Sequence, residues 1–143
     1  MTYSGVKFFR LFSGRLNSEG YLDILENCLQ PTLDMLDYKE NAIFQQDNAP
    51  CHSATIITNY LTENNIDRLE WPANSQDLNC IENLWSWLDK QLQKYTIRNV
   101  EQLKDILTNI LNNVPVEICQ KLVDSMPQRI IECYNAKGGQ TRY

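Results

Sequence analysis

Two β-prone runs, residues 41–47 (NAIFQQD) and 66–72 (IDRLEWP), flank one amphipathic stretch that begins near Ser53. Ile56, Ile57, Tyr60 and Leu61 recur there at helical spacing, and Asn64-Asn65 follows as a stop. Upstream, 6–12 (VKFFRLF) reads as a further strand that Ser13-Gly14 ends. Between it and residue 41 lies a helical pattern with Ser18 as cap and Tyr21, Ile24, Leu25, Cys28 and Leu29 on one face. Pro31 interrupts or bends that helix. The order is strand, helix, strand, helix, strand, which predicts an α/β fold. Ligands in such folds lie beyond the carboxyl ends of strands. Asp47 ends the run 41–47 and is placed there by this reading.

The rest of the chain is helical. A polar loop from Ala73 leads into a helix with Ile81, Leu84, Trp85, Leu88 and Leu92 as its apolar stripe. Trp85 is assigned to the core. Glu82 lies on a neighbouring face, with Ser86 and Asp89 one and two turns on. Two further stripes follow, Val100, Leu103, Leu107, Ile110 and Leu111, then Val116, Cys119, Leu122, Val123 and Met126. Pro127 permits a fresh helix to start. The Gly-rich tail AKGGQTRY is expected to be mobile, and Asp77 to cap or shape its loop.

Composition narrows the function. Hydrophobic residues are 43% of the 143, enough for one buried core. No apolar run approaches the length that spans a membrane, and no signal peptide is read. The five cysteines are scattered with no CxxC pair, and His52 is the single histidine, which argues against a disulfide framework or a zinc site. The formal net charge is −5; residues 1–71 carry 5 Lys/Arg against 10 Asp/Glu. That balance argues against tight non-specific DNA binding by this chain alone and suits carboxylates gathered around divalent cations.

The blocks QQDNAPCHSA (45–54) and WPANSQDLNCIENLW (71–85) resemble the second and third catalytic blocks of mariner-superfamily, Tc-type DDE transposases. Thirty-four residues, 48–81, separate Asp47 from Glu82, the interval of the glutamate-bearing branch. YLDIL (21–25), QKLVDSMPQRI (120–130) and the ending KGGQTRY resemble the same branch, so the likeness covers nearly the whole chain. It implies a ribonuclease-H-like fold and cut-and-paste DNA transposition.

In that family three carboxylates hold two Mg²⁺ or Mn²⁺ ions. Such a pair activates an oxygen nucleophile and stabilises the leaving oxygen of a phosphodiester. By resemblance Asp47 and Glu82 are metal ligands, and Asn48, Pro50 and His52 belong to the turn that shapes the site. His52 is either a turn or helix-cap residue or a catalytic one in contact with DNA or the scissile region. The family pattern has proline where this chain has Gln76 and Cys80, which is expected to loosen the approach to Glu82.

The same alignment reads the chain as a single partial catalytic domain, residues 1–143, N-terminally truncated. It begins after the first catalytic aspartate, without the first strands and the helix-turn-helix DNA-binding region. No third carboxylate is assigned. The family further implies DNA partners (transposon ends and target), a homodimer and a nuclear location, with no membrane association. The alternatives to a transposase segment are a catalytically inactive relic or a repurposed DNA- or protein-interaction domain.

Overall fold

The computed structural model describes residues 1–37, 39–72 and 75–143. The loop residues Ala73 and Asn74 of the second motif block lie outside the described residues. The chain forms two compact units, one of residues 8–74 and one of residues 1–7 with 75–143.

The unit of residues 8–74 is built on a β-α-β element. Strand β1 (Ile43–Phe44) pairs in parallel with β2 (Asp67–Arg68), Ile43 opposite Asp67, and helix α3 (Thr55–Glu63) makes the crossover. Parallel strands need such a crossover, and the amphipathic stretch supplies it. Asn64-Asn65 stops α3 as expected. Asn65 takes φ +52°, its N–H donates to Thr62 O, and Ile66 N–H donates to Leu61 O. This is a Schellman closure, with Ile66 packed against the cluster that contains Leu61.

Helix α1 (Ser18–Ile24) starts one residue earlier than a Ser18 cap would allow. Asn17 is the cap, its Oδ1 accepting Gly20 N–H at 2.8 Å. The helix widens into a π turn over Leu25–Leu29 and continues as α2 (Gln30–Asp34). Pro31 neither donates a hydrogen bond nor tolerates a carbonyl four residues back, and the π turn falls just ahead of it. Tyr21, Leu25, Ile57 and Leu61 form the core of this unit, so α1 and α3 pack face to face. Ile56 is exposed rather than inward.

Three strand assignments need correction. Residues 6–12 form no strand among the described residues, and Phe8 and Phe12 stay about half exposed. A β-prone run becomes a strand only with a ladder partner, and none pairs with it. The runs 41–47 and 66–72 shorten to two residues each. Ile43, expected in a buried strand, is 65% exposed.

The second unit is helical: α4 (Ile81–Leu92), α5 (Val100–Asn112), α6 (Val116–Asp124) and α7 (Met126–Asn135). Leu84 and Leu88 bury the apolar stripe of α4, which lies against α5 and α6. Ile110, Leu111 and Cys119 are the buried positions of the next two stripes, while Val100 and Val116 are exposed at their starts. Pro127 sits in the first turn of α7, where its missing N–H costs nothing. Trp85 is not core: it is 45% exposed, one position off the buried face that Leu84 and Leu88 define. Among the described residues no helix is long and apolar enough to cross a membrane.

Candidate metal centre

Asp47 lies three residues beyond the end of β1, in a turn held from several sides. Gln46, next to it, is buried. Its Oε1 accepts the Tyr21 hydroxyl at 2.7 Å, and its Nε2 donates to the His52 carbonyl at 3.2 Å. Ala49 O accepts the N–H groups of His52 and Ser53, closing the turn. Asn48 Nδ2 donates to Trp71 O at 2.8 Å and so ties this turn to the segment after β2. Asn48, singled out beside Asp47, and Gln46, which the sequence did not single out, fasten the two sides of the turn.

The Asp47 carboxylate is 56% exposed. Its Oδ1 accepts Ala49 N–H at 3.0 Å and lies 2.6 Å from His52 Nδ1. Both of these contacts fall on Oδ1. The His52 ring stacks on Tyr21 with centroids 4.0 Å apart. Burial, and then the nearby Asp47 charge, push the Tyr21 phenol well above its usual range, so it stays a neutral donor to Gln46. His52 is a turn residue, and Ala54 occupies the cap of α3. A cavity of about 330 Å³ opens beside Asp47, with Asn48, Ser53, Arg68 and Glu70 among its lining residues.

Glu82 belongs to the other unit. It stands in the first turn of α4, exposed, where a carboxylate complements the helix dipole. Its N–H donates to Asn79 O at 3.1 Å, and its carbonyl accepts Ser86 Oγ at 3.0 Å. The loop that feeds α4 folds into a 3-10 turn over Gln76–Leu78. Cys80, where the family has proline, is the N-cap with φ −63°, a value that proline also adopts.

This loop is pinned by residues that the sequence did not single out. Arg129, on α7, is 1% exposed. Its Nη1 donates to Asp77 O and its Nη2 to Asn83 Oδ1, each at 2.7 Å, and its Nε donates to Ser125 Oγ at 2.9 Å. Its guanidinium carbon lies 4.4 Å from the centre of the Tyr143 ring. Asp77 Oδ2 accepts Thr141 N–H at 2.8 Å, and that bond holds the Asp77 carboxyl below the usual range. Asp77 thus shapes the loop, as expected. The tail, expected to be mobile, is instead anchored by Thr141 and Tyr143. One signal for Arg129 was present: it continues the stripe of Leu122, Met126 and Cys133, where a charge demands partners.

Two exposed carboxylates, one past a strand end and one in a helix's first turn, are oxygen donors that fit hard divalent cations. Among the described residues, no group of three or more His, Cys, Asp or Glu side chains gathers to hold a metal ion.

Residues 1–104 match the DDE superfamily endonuclease family. The chain belongs to that family. It is 34% identical over 130 residues to the transposable element Tcb1 transposase of Caenorhabditis briggsae, covering 91% of this chain and 47% of that protein. It is 35% identical over 133 residues to the Tc3 transposase of Caenorhabditis elegans, covering 92% and 40%. The chain thus spans less than half the length of these curated relatives. The Mos1 transposase catalytic domain, solved with raltegravir and Mg, superposes with a TM-score of 0.88 at 23% identity over 98% of this chain and 73% of that one. The DDE chain therefore has the ribonuclease-H-like fold of a Tc/mariner-type catalytic domain, as its motifs led us to expect.

Proposed function

We propose that this chain is part of a transposase catalytic domain, and that Asp47 and Glu82 are its ligands for Mg²⁺ or Mn²⁺ in DNA strand cleavage and transfer. The observation that carries the reading is the pair of motif blocks with 34 residues between the two carboxylates, on a chain of this family. The exposed Asp47 turn and the first-turn position of Glu82 support it. Solved Mos1 catalytic domains with Mg and with Mn support the choice of ions. Bound divalent ions would supply an activated oxygen nucleophile and charge stabilisation of the leaving oxygen. This chain's own contribution is to present the two carboxylates and to orient Asp47 through Ala49, His52 and the Gln46–Tyr21 pair. Asn48 shapes that turn, and His52 steadies Oδ1.

The intact protein acts on transposon ends and target DNA, as a homodimer, in the nucleus. Support comes from Mos1 structures described as a paired-end complex with Mn and a strand transfer complex. The test is equilibrium Mn²⁺ binding by the purified chain. Wild type binds, and Asp47→Asn combined with Glu82→Gln loses that binding. Equal binding by the double variant would show that these carboxylates are not the ligands.

A further inference from the structure

The N-terminus of α4 lacks a conventional cap. Cys80 offers no side-chain hydrogen bond to the first turn, and the local support there comes from Asn79, whose Oδ1 accepts Ile81 N–H at 3.4 Å and whose carbonyl accepts Glu82 N–H at 3.1 Å. The turn that carries Glu82 is held from outside the helix as well. The Arg129 fork spans the loop that delivers it, gripping Asp77 O before the cap and Asn83 Oδ1 immediately after Glu82. Among the described residues its three hydrogen-bond acceptors are all neutral, so a fully buried cation is kept there without a carboxylate partner. That is a costly arrangement for packing alone, which an apolar side chain of similar size would serve. Behind Arg129, Tyr143 covers the guanidinium and Thr141 fixes Asp77.

We propose that Arg129 is a positioning residue for Glu82, setting the first turn of α4 through Asn83 and locking it with the segment that ends at Tyr143. The inference rests on the reading of Glu82 as a metal ligand. A ligand must be held to within a fraction of an ångström, and groups behind a ligand commonly alter metal affinity about 10- to 100-fold. Lysine cannot replace the fork, because one ammonium does not reproduce its planar, divergent donors.

The experiment is a Mn²⁺ titration of the full chain, isotope-labelled, following paramagnetic broadening of the amides of residues 81–83 and, separately, 47–49. Arg129→Lys raises the Mn²⁺ concentration needed at 81–83 by about 10-fold or more, while the response at 47–49 keeps its midpoint. Tyr143→Ala, which leaves Arg129 and Glu82 in place, shifts the midpoint at 81–83 in the same direction. Should Arg129→Lys not fold, Tyr143→Ala decides. Folded variants with the wild-type midpoint at 81–83 overturn the positioning role. Glu82→Gln separates the two claims. If it leaves the 81–83 response intact, the ligand reading itself fails and the positioning role falls with it. If it abolishes that response while Arg129→Lys and Tyr143→Ala do not alter it, only the positioning role fails.

Discussion

Arg129 Nη2 donates to Asn83 Oδ1 at 2.7 Å, bridging 46 residues of sequence to reach the neighbour of Glu82. The guanidinium also satisfies Ser125 Oγ and Asp77 O. Truncation strands these acceptors in a buried place, at about 1–3 kcal/mol for each group left unpaired. Arg129→Ala is therefore expected to lower unfolding free energy by about 3 kcal/mol or more in urea titrations. A loss under about 1 kcal/mol would mean that water replaces the fork.

The Asp77–Thr141 bond makes the tail's attachment depend on pH. The folded-state carboxyl is held below its ordinary value of 3.8, chiefly by Thr141 N–H. A depressed carboxyl contributes stability above its unfolded pKa, and that contribution is lost as pH falls through the lowered value. The Thr141 amide should therefore stay protected from hydrogen exchange at neutral pH and lose protection only as pH falls below the ordinary carboxylate range. In Asp77→Asn that acid step should disappear.

Tyr21 anchors the Asp47 turn through Gln46. Tyr21→Phe removes the 2.7 Å bond and leaves Gln46 Oε1 buried without its donor. The expected cost is about 1–3 kcal/mol in stability. The amides of residues 46–49 should also exchange faster. If those amides keep wild-type protection, the turn is held without Tyr21.

The resemblance implies three carboxylates around two ions for strand cleavage, and the motifs of this chain assign two. Residues 1–143 alone, with Mg²⁺ or Mn²⁺ and transposon-end DNA, should give no more nicks than the Asp47→Ala variant. Specific nicking that Asp47→Ala abolishes would show that this segment is catalytically sufficient.

Periodicity made the α/β order, the crossover α3 and the helices α4–α7 legible, because each buries one face against a neighbour. The Asn64-Asn65 stop was legible because closure of a helix is local chemistry. The run 6–12 misled because a strand needs a partner that propensity does not reveal. Trp85 misled because it lies at the margin of a stripe whose buried positions are Leu84 and Leu88. The motif blocks marked Asp47 and Glu82. The Arg129 clamp was hidden, because its partners Asp77, Asn83 and Tyr143 come together only in the folded chain. The tail was misread for the same reason, since glycines say nothing about what Thr141 and Tyr143 touch.

The most direct measurement is anomalous diffraction from Mn²⁺-soaked crystals of the chain. Manganese peaks are expected within about 2.5 Å of an Asp47 oxygen and of a Glu82 oxygen. Peaks absent from both carboxylates at saturating Mn²⁺, or confined to other side chains, would contradict the reading of these two residues as metal ligands.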